Sequence, residues 1–176
     1  MMLTSLVGHN MIDIGTLREA VATHGAVVRV VIAEIAGSSP REAGAAMIVR
    51  ADGQTGTIGG GALEWEAVAR ARTLLAEGAG DAVWRMALGP TLGQCCGGAV
   101  TLVAERFDAA RVASLEGDVI ARSLPGGPQE MPLTVRRALA RARGEGVPSS
   151  ARVVGGWLIE PVARPLRDLW VWGAGH

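Results

Sequence analysis

The chain has 176 residues, of which 49% are apolar and 19% charged, a composition typical of a globular protein with a substantial core. Its 17 basic residues are balanced by 17 acidic ones, which argues against binding to nucleic acid or to an anionic membrane surface. Two cysteines cannot build the multi-bridge framework of a small secreted domain, and no signal-peptide pattern opens the chain, so we expect a cytoplasmic location.

The first third of the chain predicts a helix, a strand and a hairpin. Apolar spacing predicts a helix over about 11–24 that ends at Gly25. The following "AVVRVVIAEIA" (26–36) is rich in β-branched residues and predicts a buried strand. The stretch "AAMIVRADGQTGTIG" then predicts two strands joined by a turn at Asp52 and Gly53.

The next stretch adds a second helix and two more strands. A glycine cluster leads into a helix expected to end at Gly78, and strands are predicted at 81–89 and 99–107. Mixed helices and strands favour an α/β fold, with α+β as the alternative, built on a mixed sheet with flanking helices. The composition changes after residue 108, so we expect the first domain to span residues 1–108.

The remaining residues predict a connecting region and the beginning of a second domain. Residues 109–165 combine loop-rich stretches with an arginine-studded helix and a strand or hairpin. The final "RDLWVWGAGH" joins an apolar strand to Gly173-Ala-Gly175, which is typical of the first turn of a dinucleotide-binding βαβ unit. We therefore expect residues 166–176 to begin a truncated Rossmann-like domain. An ordinary terminal strand or a dehydrogenase fragment are the alternatives.

The motif "LGQCCGG" contains both cysteines of the chain, side by side. Zinc sites usually need four ligands, and adjacent Cα atoms about 3.8 Å apart are too close for an unstrained disulfide. A Cys–His dyad would need a histidine delivered from elsewhere in the fold. Two interpretations stay open: a soft two-thiol site on a glycine loop, suited to a metal or sulfur-bearing ligand, or two buried small residues.

Two further loops predict anion binding. In "GTIGGGALEWE", glycines precede a helix whose N-terminal N–H groups favour an anion, although a tight turn would use the same residues. No Lys-Ser/Thr pair follows, which argues against a nucleotide-hydrolysing P-loop. The loop "GSSPREAG" supplies hydroxyls and a guanidinium suited to phosphate. Together with the cysteines, these loops indicate one ligand with a phosphate end and a sulfur-rich end.

Four motifs in order resemble the xanthine dehydrogenase accessory proteins of the XdhC/CoxI type. They are "GSSPREAGAAMIV", "DGQTGTIGGGALE", "LGQCCGGAVTLVAE" and "WLIEPVARPLRDLWVWGAGH", across about residues 37–176. The resemblance implies a maturation factor without turnover of its own, which binds the molybdenum cofactor during sulfuration and inserts it into xanthine dehydrogenase or a related molybdenum hydroxylase. It also implies a cysteine desulfurase as partner, and a homodimer is plausible.

The resemblance also assigns site residues. The metal or dithiolene end would contact Gln94, Cys95 and Cys96, with the two cysteines as metal ligands. We further expect the glycine and serine motifs to hold the pterin phosphate, through Gly59, Gly60, Gly61, Glu64, Ser38, Ser39 and Arg41. The alternative function is that of a sulfurtransferase carrying a persulfide on Cys95 or Cys96.

Overall fold

The computed structural model describes residues 10–89, 97–144 and 150–163, which form two antiparallel sheets and four helices. The five-stranded sheet has the order β3-β2-β1-β5-β4, and the three-stranded sheet has the order β6-β8-β7. In chain order the elements are α1 (Ile14–His24), β1 (Val27–Ala36), β2 (Ala46–Val49), β3 (Gln54–Gly56), α2 (Gly61–Glu77), β4 (Ala82–Ala87), β5 (Ala99–Phe107), α3 (Ala109–Ala113), β6 (Val119–Ser123), α4 (Leu133–Gly144), β7 (Arg152–Val154) and β8 (Trp157–Pro161). Within these ranges no helix is long and apolar enough to cross a bilayer.

Helix α1 is defined at both ends by local chemistry. The Asp13 carboxylate accepts a hydrogen bond from the Thr16 backbone N–H at 3.0 Å, which caps the first turn. At the other end Gly25, with a φ of 77°, donates its N–H to the Val21 carbonyl. The predicted stop at Gly25 is confirmed, while the helix begins three residues later than the apolar spacing indicated.

Strand β1 lies at the centre of the first sheet and is buried from Val27 to Ala33. Helix α2 covers one face of this sheet with its buried stripe and ends at Gly78, which adopts the left-handed conformation as expected. The main core lies between that stripe (Leu63, Ala67, Val68, Ala71) and the strand residues Val28, Val30, Ile32, Met47, Val49, Met86, Val100, Leu102 and Ala104.

The combination of helices and strands is confirmed, but the pairing differs from the mixed sheet expected. Every ladder between the described strands is antiparallel, which suits the α+β alternative, and the one parallel contact is an isolated bridge between Ile12 and Val162. Parallel neighbours need a long crossover connection. The long crossover α2 instead leads from β3 to β4, which lie at opposite edges of the sheet.

The second sheet lies within residues 109–163, where composition alone indicated a connecting region. Its central strand β8 is buried along all five residues. Ala151 and Leu158 pack against Val31, Ala33 and Val103, which alternate along the first sheet with the residues facing α2. The first sheet is therefore covered on both faces. The domain boundary near residue 108 stays a prediction.

Charged side chains of alternating sign connect the two sheets. Burial acts to raise the pKa of the Glu160 carboxyl, but the Arg29 and Arg122 guanidinium groups outweigh it and hold that pKa below its usual value. The pairing of each buried charge avoids the large cost of an isolated ion. The chain of contacts runs through Asp81, Arg111, Glu105, Arg122, Glu160 and Arg29.

Candidate functional site

The predicted motifs leave the five-stranded sheet at one end. Ala36, the last residue of β1, lies opposite Ala99, the first residue of β5. Ala87, the last residue of β4, lies on the other side of Ala99. The loop after β1 and the segment that joins β4 to β5 therefore start from neighbouring positions.

Gly98, the last residue of the cysteine motif, packs directly on the serine loop. A Cβ atom built on Gly98 would lie 2.1 Å from the Ser38 carbonyl oxygen and 2.7 Å from that of Ala36. Only glycine allows so close an approach of two backbones. The predicted residues Gln94, Cys95 and Cys96 lie outside the described residues, and Cys96 is two positions before Gly98 in the sequence.

The serine loop packs in turn on the glycine turn. Gly59 has a φ of 123°, and a Cβ atom there would lie 2.7 Å from Cγ of Pro40 and 3.4 Å from Cγ of Arg41. The Ser39 hydroxyl donates a hydrogen bond to the Arg41 carbonyl at 2.8 Å. The Arg41 guanidinium lies 3.5 Å from the Glu42 carboxylate and is one quarter exposed. The structure thus brings together the two loops that the sequence predicted to share a ligand.

The Glu64 carboxylate occupies the inside of the glycine turn. Its Oε2 accepts hydrogen bonds from the Thr57 hydroxyl at 2.6 Å, the Ile58 N–H at 3.0 Å and the Gly60 N–H at 3.1 Å, and its Oε1 accepts one from Gln54 at 2.8 Å. Burial acts to raise the pKa of this carboxyl, but the four hydrogen bonds outweigh it and lower the pKa below its usual value.

The anion bound by the glycine turn is therefore the protein's own side chain. A phosphate at the N–H groups of Ile58 and Gly60 would have to displace Glu64. We expect Glu64 to hold the turn in shape rather than to contact the ligand. Glu64 is the fourth residue of α2, and its bond back to the N–H of the N-cap residue Gly60 is similar to that of the glutamate in a capping box, which is the third helical residue.

Among the described residues, a groove and a smaller cavity adjoin these loops. A groove of about 970 Å³ follows α2 from Gly61 and Glu64 to Arg72, beside Trp65, whose side chain is 84% exposed. A smaller cavity of about 250 Å³ lies where β1, β5 and β4 leave the sheet, and Glu34, Arg85 and Thr101 line it. Sequence reasoning did not assign these last three residues, since their proximity depends on strand pairing.

The described residues contain no candidate metal site. Among residues 10–89, 97–144 and 150–163, no group of three or more histidine, cysteine, aspartate or glutamate side chains could hold a metal ion. Cys95 and Cys96, the predicted metal ligands, fall in the segment between the first two of these ranges.

Parts of the chain are similar to a known protein family and to a solved structure. Residues 20–85 match the model of the XdhC and CoxI family, a stretch that includes the serine loop and the glycine turn and ends before the cysteine motif. The fold resembles the crystal structure of a xanthine dehydrogenase from Bacillus halodurans at 2.80 Å resolution, with a TM-score of 0.55 and 24% identity. The match covers 65% of this chain and 39% of that one. No curated protein matches the chain significantly.

Proposed function

We propose that this chain belongs to the XdhC and CoxI family, whose model residues 20–85 match, and that it is a maturation factor for xanthine dehydrogenase or a related molybdenum hydroxylase. It binds the molybdenum cofactor as cargo, protects it while a cysteine desulfurase supplies sulfur, and passes it to the apo-enzyme. The main structural support is the chain of contacts from Gly98 to Ser38 and from Pro40 to Gly59, which joins three motifs at one end of the sheet.

The chemistry of these motifs suits the two ends of that cargo. The cofactor is a phosphorylated pterin whose dithiolene holds the metal, so one end is soft and rich in sulfur while the other is anionic. We assign the soft end to Cys95 and Cys96, since thiolates prefer soft metals. We assign the phosphate to Ser38, Ser39 and Arg41, because guanidinium binds phosphate through two parallel hydrogen bonds.

The glycine turn packs against the serine loop and holds it in place. Glu64 fixes the backbone of the turn. Because Gly59 has no side chain, Pro40 and Arg41 can pack directly on this backbone. A rigid support is what a binding loop needs to hold its side chains in one geometry. The proposed ligand contacts thus belong to the serine and cysteine segments, and the turn positions the first of them.

Anaerobic incubation with the molybdenum cofactor tests the proposal. Bound molybdenum is measured after gel filtration for the native chain, for Cys95→Ala, Cys96→Ala and the double variant, and for Arg41→Ala. We expect stoichiometric retention by the native chain, loss in the double cysteine variant and weaker retention in Arg41→Ala. Arg18→Ala, which removes an exposed arginine from α1, is the matched control and should behave as the native chain.

Two results would contradict these assignments. Unchanged molybdenum in the double cysteine variant would remove the cysteines from the metal site, and unchanged retention in Arg41→Ala would remove Arg41 from the phosphate site. Isotopic sulfur supplied by the desulfurase distinguishes the function itself. Label on the cofactor supports a maturation factor, whereas label held covalently by the protein and released by a thiol reductant identifies a persulfide carrier.

A further inference from the structure

Glu34, Thr101 and Arg85 form a row across three neighbouring strands. Glu34 on β1 lies opposite Thr101 on β5, and Arg85 on β4 lies opposite the same threonine from the other side. Directly opposed residues of antiparallel strands point to the same face of a sheet. With neighbouring strands roughly 4.8 Å apart, the backbones of Glu34 and Arg85 are about 10 Å from each other.

A β-bulge places Glu34 in this row. The register of β1 against β5 shifts between Ile32 and Glu34, so that Ile35 packs on the core beneath α2 and Glu34 turns to the other face. Strict alternation after Ile32 would have directed Glu34 toward the apolar core instead. Bulges commonly redirect side chains next to functional sites.

Neither charge of the row has a partner among the residues that the structure describes. In the part of the chain that the structure describes, neither Glu34 nor Arg85 forms a hydrogen bond or an ion pair, with each other or with another residue. Both residues are exposed, whereas the charges between the two sheets are buried or half-buried and each carboxylate there has a guanidinium partner. The row therefore keeps an acceptor and a donor available on either side of a hydroxyl.

The row lines a cavity at the root of the cysteine motif. The cavity has a volume of about 250 Å³, and the small side chains of Ala36 and Ala99 form part of its lining. Ala99 directly follows Gly98, the last residue of that motif. The volume is below that of pockets for drug-sized ligands, so it suits one small ring system rather than a whole nucleotide.

The order of hydrogen-bonding groups defines the ligand. An ionised carboxylate only accepts, a hydroxyl does both, and a guanidinium only donates. The complementary ligand edge carries two adjacent donors followed by an acceptor, which describes the 2-amino-4-oxopyrimidine ring of a pterin and, equally, that of guanine. We propose that Glu34, Thr101 and Arg85 bind this ring of the pterin, an inference that rests on the proposed function and extends it.

In this arrangement each charged side chain has one task. The Glu34 carboxylate accepts from the 2-amino group and the neighbouring ring N–H, and the Arg85 guanidinium donates to the 4-oxo group. Charge-assisted hydrogen bonds of this kind are shorter and stronger than neutral ones. A phosphate beside Glu34 would be repelled, which agrees with the assignment of the phosphate to the serine loop.

Calorimetric titration of the 176-residue chain with pterin-6-carboxylate and lumazine-6-carboxylate tests the inference. Lumazine differs by a 2-oxo group in place of the 2-amino group, so it presents an acceptor to Glu34. We expect the native chain to prefer the pterin by about tenfold or more, because a site built for a donor leaves its carboxylate unpaired with the analogue. Equal affinity for the two ligands, or binding of neither, would overturn the assignment.

Two variants with matched controls identify the residues. In Glu34→Gln, whose amide can donate to the 2-oxo group, the preference should fall to about twofold or less. In Arg85→Gln both ligands should weaken by about tenfold while the preference persists. Glu77→Gln on α2 and Arg18→Gln on α1 remove exposed charges elsewhere and should change neither value. A preference unaltered in Glu34→Gln would refute the role of Glu34.

A third titration, with guanosine monophosphate, distinguishes a pterin from a guanine nucleotide as the ligand. Guanosine monophosphate should bind more weakly than the pterin, and tighter binding would assign the cavity to a guanine nucleotide instead. The result is independent of the cysteine experiment above. Molybdenum retention without a preference for pterin would refute this inference and leave the proposed function standing. A preference for pterin without molybdenum retention would refute the proposed function and leave the pterin site standing.

Discussion

Arg29 and Glu160, 131 positions apart in the chain, form a bidentate ion pair in the protein interior. Nη1 of Arg29 donates to Oε2 of Glu160 at 3.0 Å and Nη2 donates to Oε1 at 2.8 Å. The two residues are 3% and 0% exposed. Since Arg29 belongs to β1 and Glu160 to β8, the pair fixes the second sheet on the first.

Replacing Glu160 should destabilise the fold strongly. In Glu160→Gln the guanidinium groups of Arg29 and Arg122 lose their shared carboxylate inside the protein, and breaking a buried ion pair from one side costs about 3–5 kcal/mol. The free energy of unfolding in urea measures the loss. Glu66→Gln, which removes an exposed i,i+4 pair with Arg70, is the control and should cost less than about 0.5 kcal/mol. Equal losses in the two variants would contradict the prediction.

The same carboxylate should make stability depend on pH in the acid range. Its pKa in the folded protein is lowered from 4.5, since the attraction of Arg29 and Arg122 outweighs the effect of burial. A carboxylate with a depressed pKa stabilises the folded state fully above pH 4.5, and this contribution is lost as the pH falls below 4.5 through the folded-state value.

Urea unfolding between pH 7 and pH 3 measures this dependence. The difference in unfolding free energy between the native chain and Glu160→Gln should be constant above about pH 5 and narrow below it. A difference that stays the same down to pH 3 would show that Glu160 does not titrate in this range with the expected sign.

Two adjacent glycines should respond very differently to the same substitution. In Gly98→Ala the new Cβ would meet backbone atoms of Ser38 and Ala36 at 2.1–2.8 Å, which cannot move aside cheaply, so we expect a loss of about 1–3 kcal/mol. In Gly97→Ala no atom of the described residues lies within 4 Å of the new Cβ, and the change should stay within about 0.5 kcal/mol. Chemical unfolding checks both values. Molybdenum retention should fall in Gly98→Ala and not in Gly97→Ala. Equal stability and retention in the two variants would argue against the contact between Gly98 and the serine loop.

The glycine turn should loosen when Glu64 loses its charge. In Glu64→Gln the N–H groups of Ile58 and Gly60 lose a charged acceptor, and such a hydrogen bond contributes roughly 1.5 kcal/mol or more. Amide hydrogen exchange at these two residues should therefore accelerate by about tenfold. Glu77→Gln, in the last turn of the same helix, should leave both rates unchanged. Unaltered exchange in Glu64→Gln would mean that the turn is held by other contacts.

The local elements of the first sheet could be predicted because their signals lie within a few residues. The β-branched run of β1 and the stops at Gly25 and Gly78 are examples, and each is confirmed by the structure. The sequence does not predict strand β6, because its five residues stand between turn-rich stretches and only Ile120 among them is buried. Its strand character comes from pairing with β8 rather than from its own pattern.

The candidate site could likewise be predicted only in part from the sequence. The sequence identified the serine loop and the glycine turn as parts of one site, and Gly59 does pack on Pro40. It assigned Glu64 to the ligand, whereas the carboxylate binds the turn itself. The choice between a bound ligand and an internal carboxylate depends on where the side chain reaches, and residue spacing does not contain that information.

The sequence by itself determined the helices and strands of the first sheet, the turns at its glycines and the match of residues 20–85 to a family model, because each of these depends on neighbours along the chain. Only the tertiary structure decided which distant residues meet. The partner of Arg29 is 131 positions away, and the row of Glu34, Thr101 and Arg85 exists through strand register and one bulge. A shift of one residue in that register would turn each of these side chains to the opposite face of the sheet.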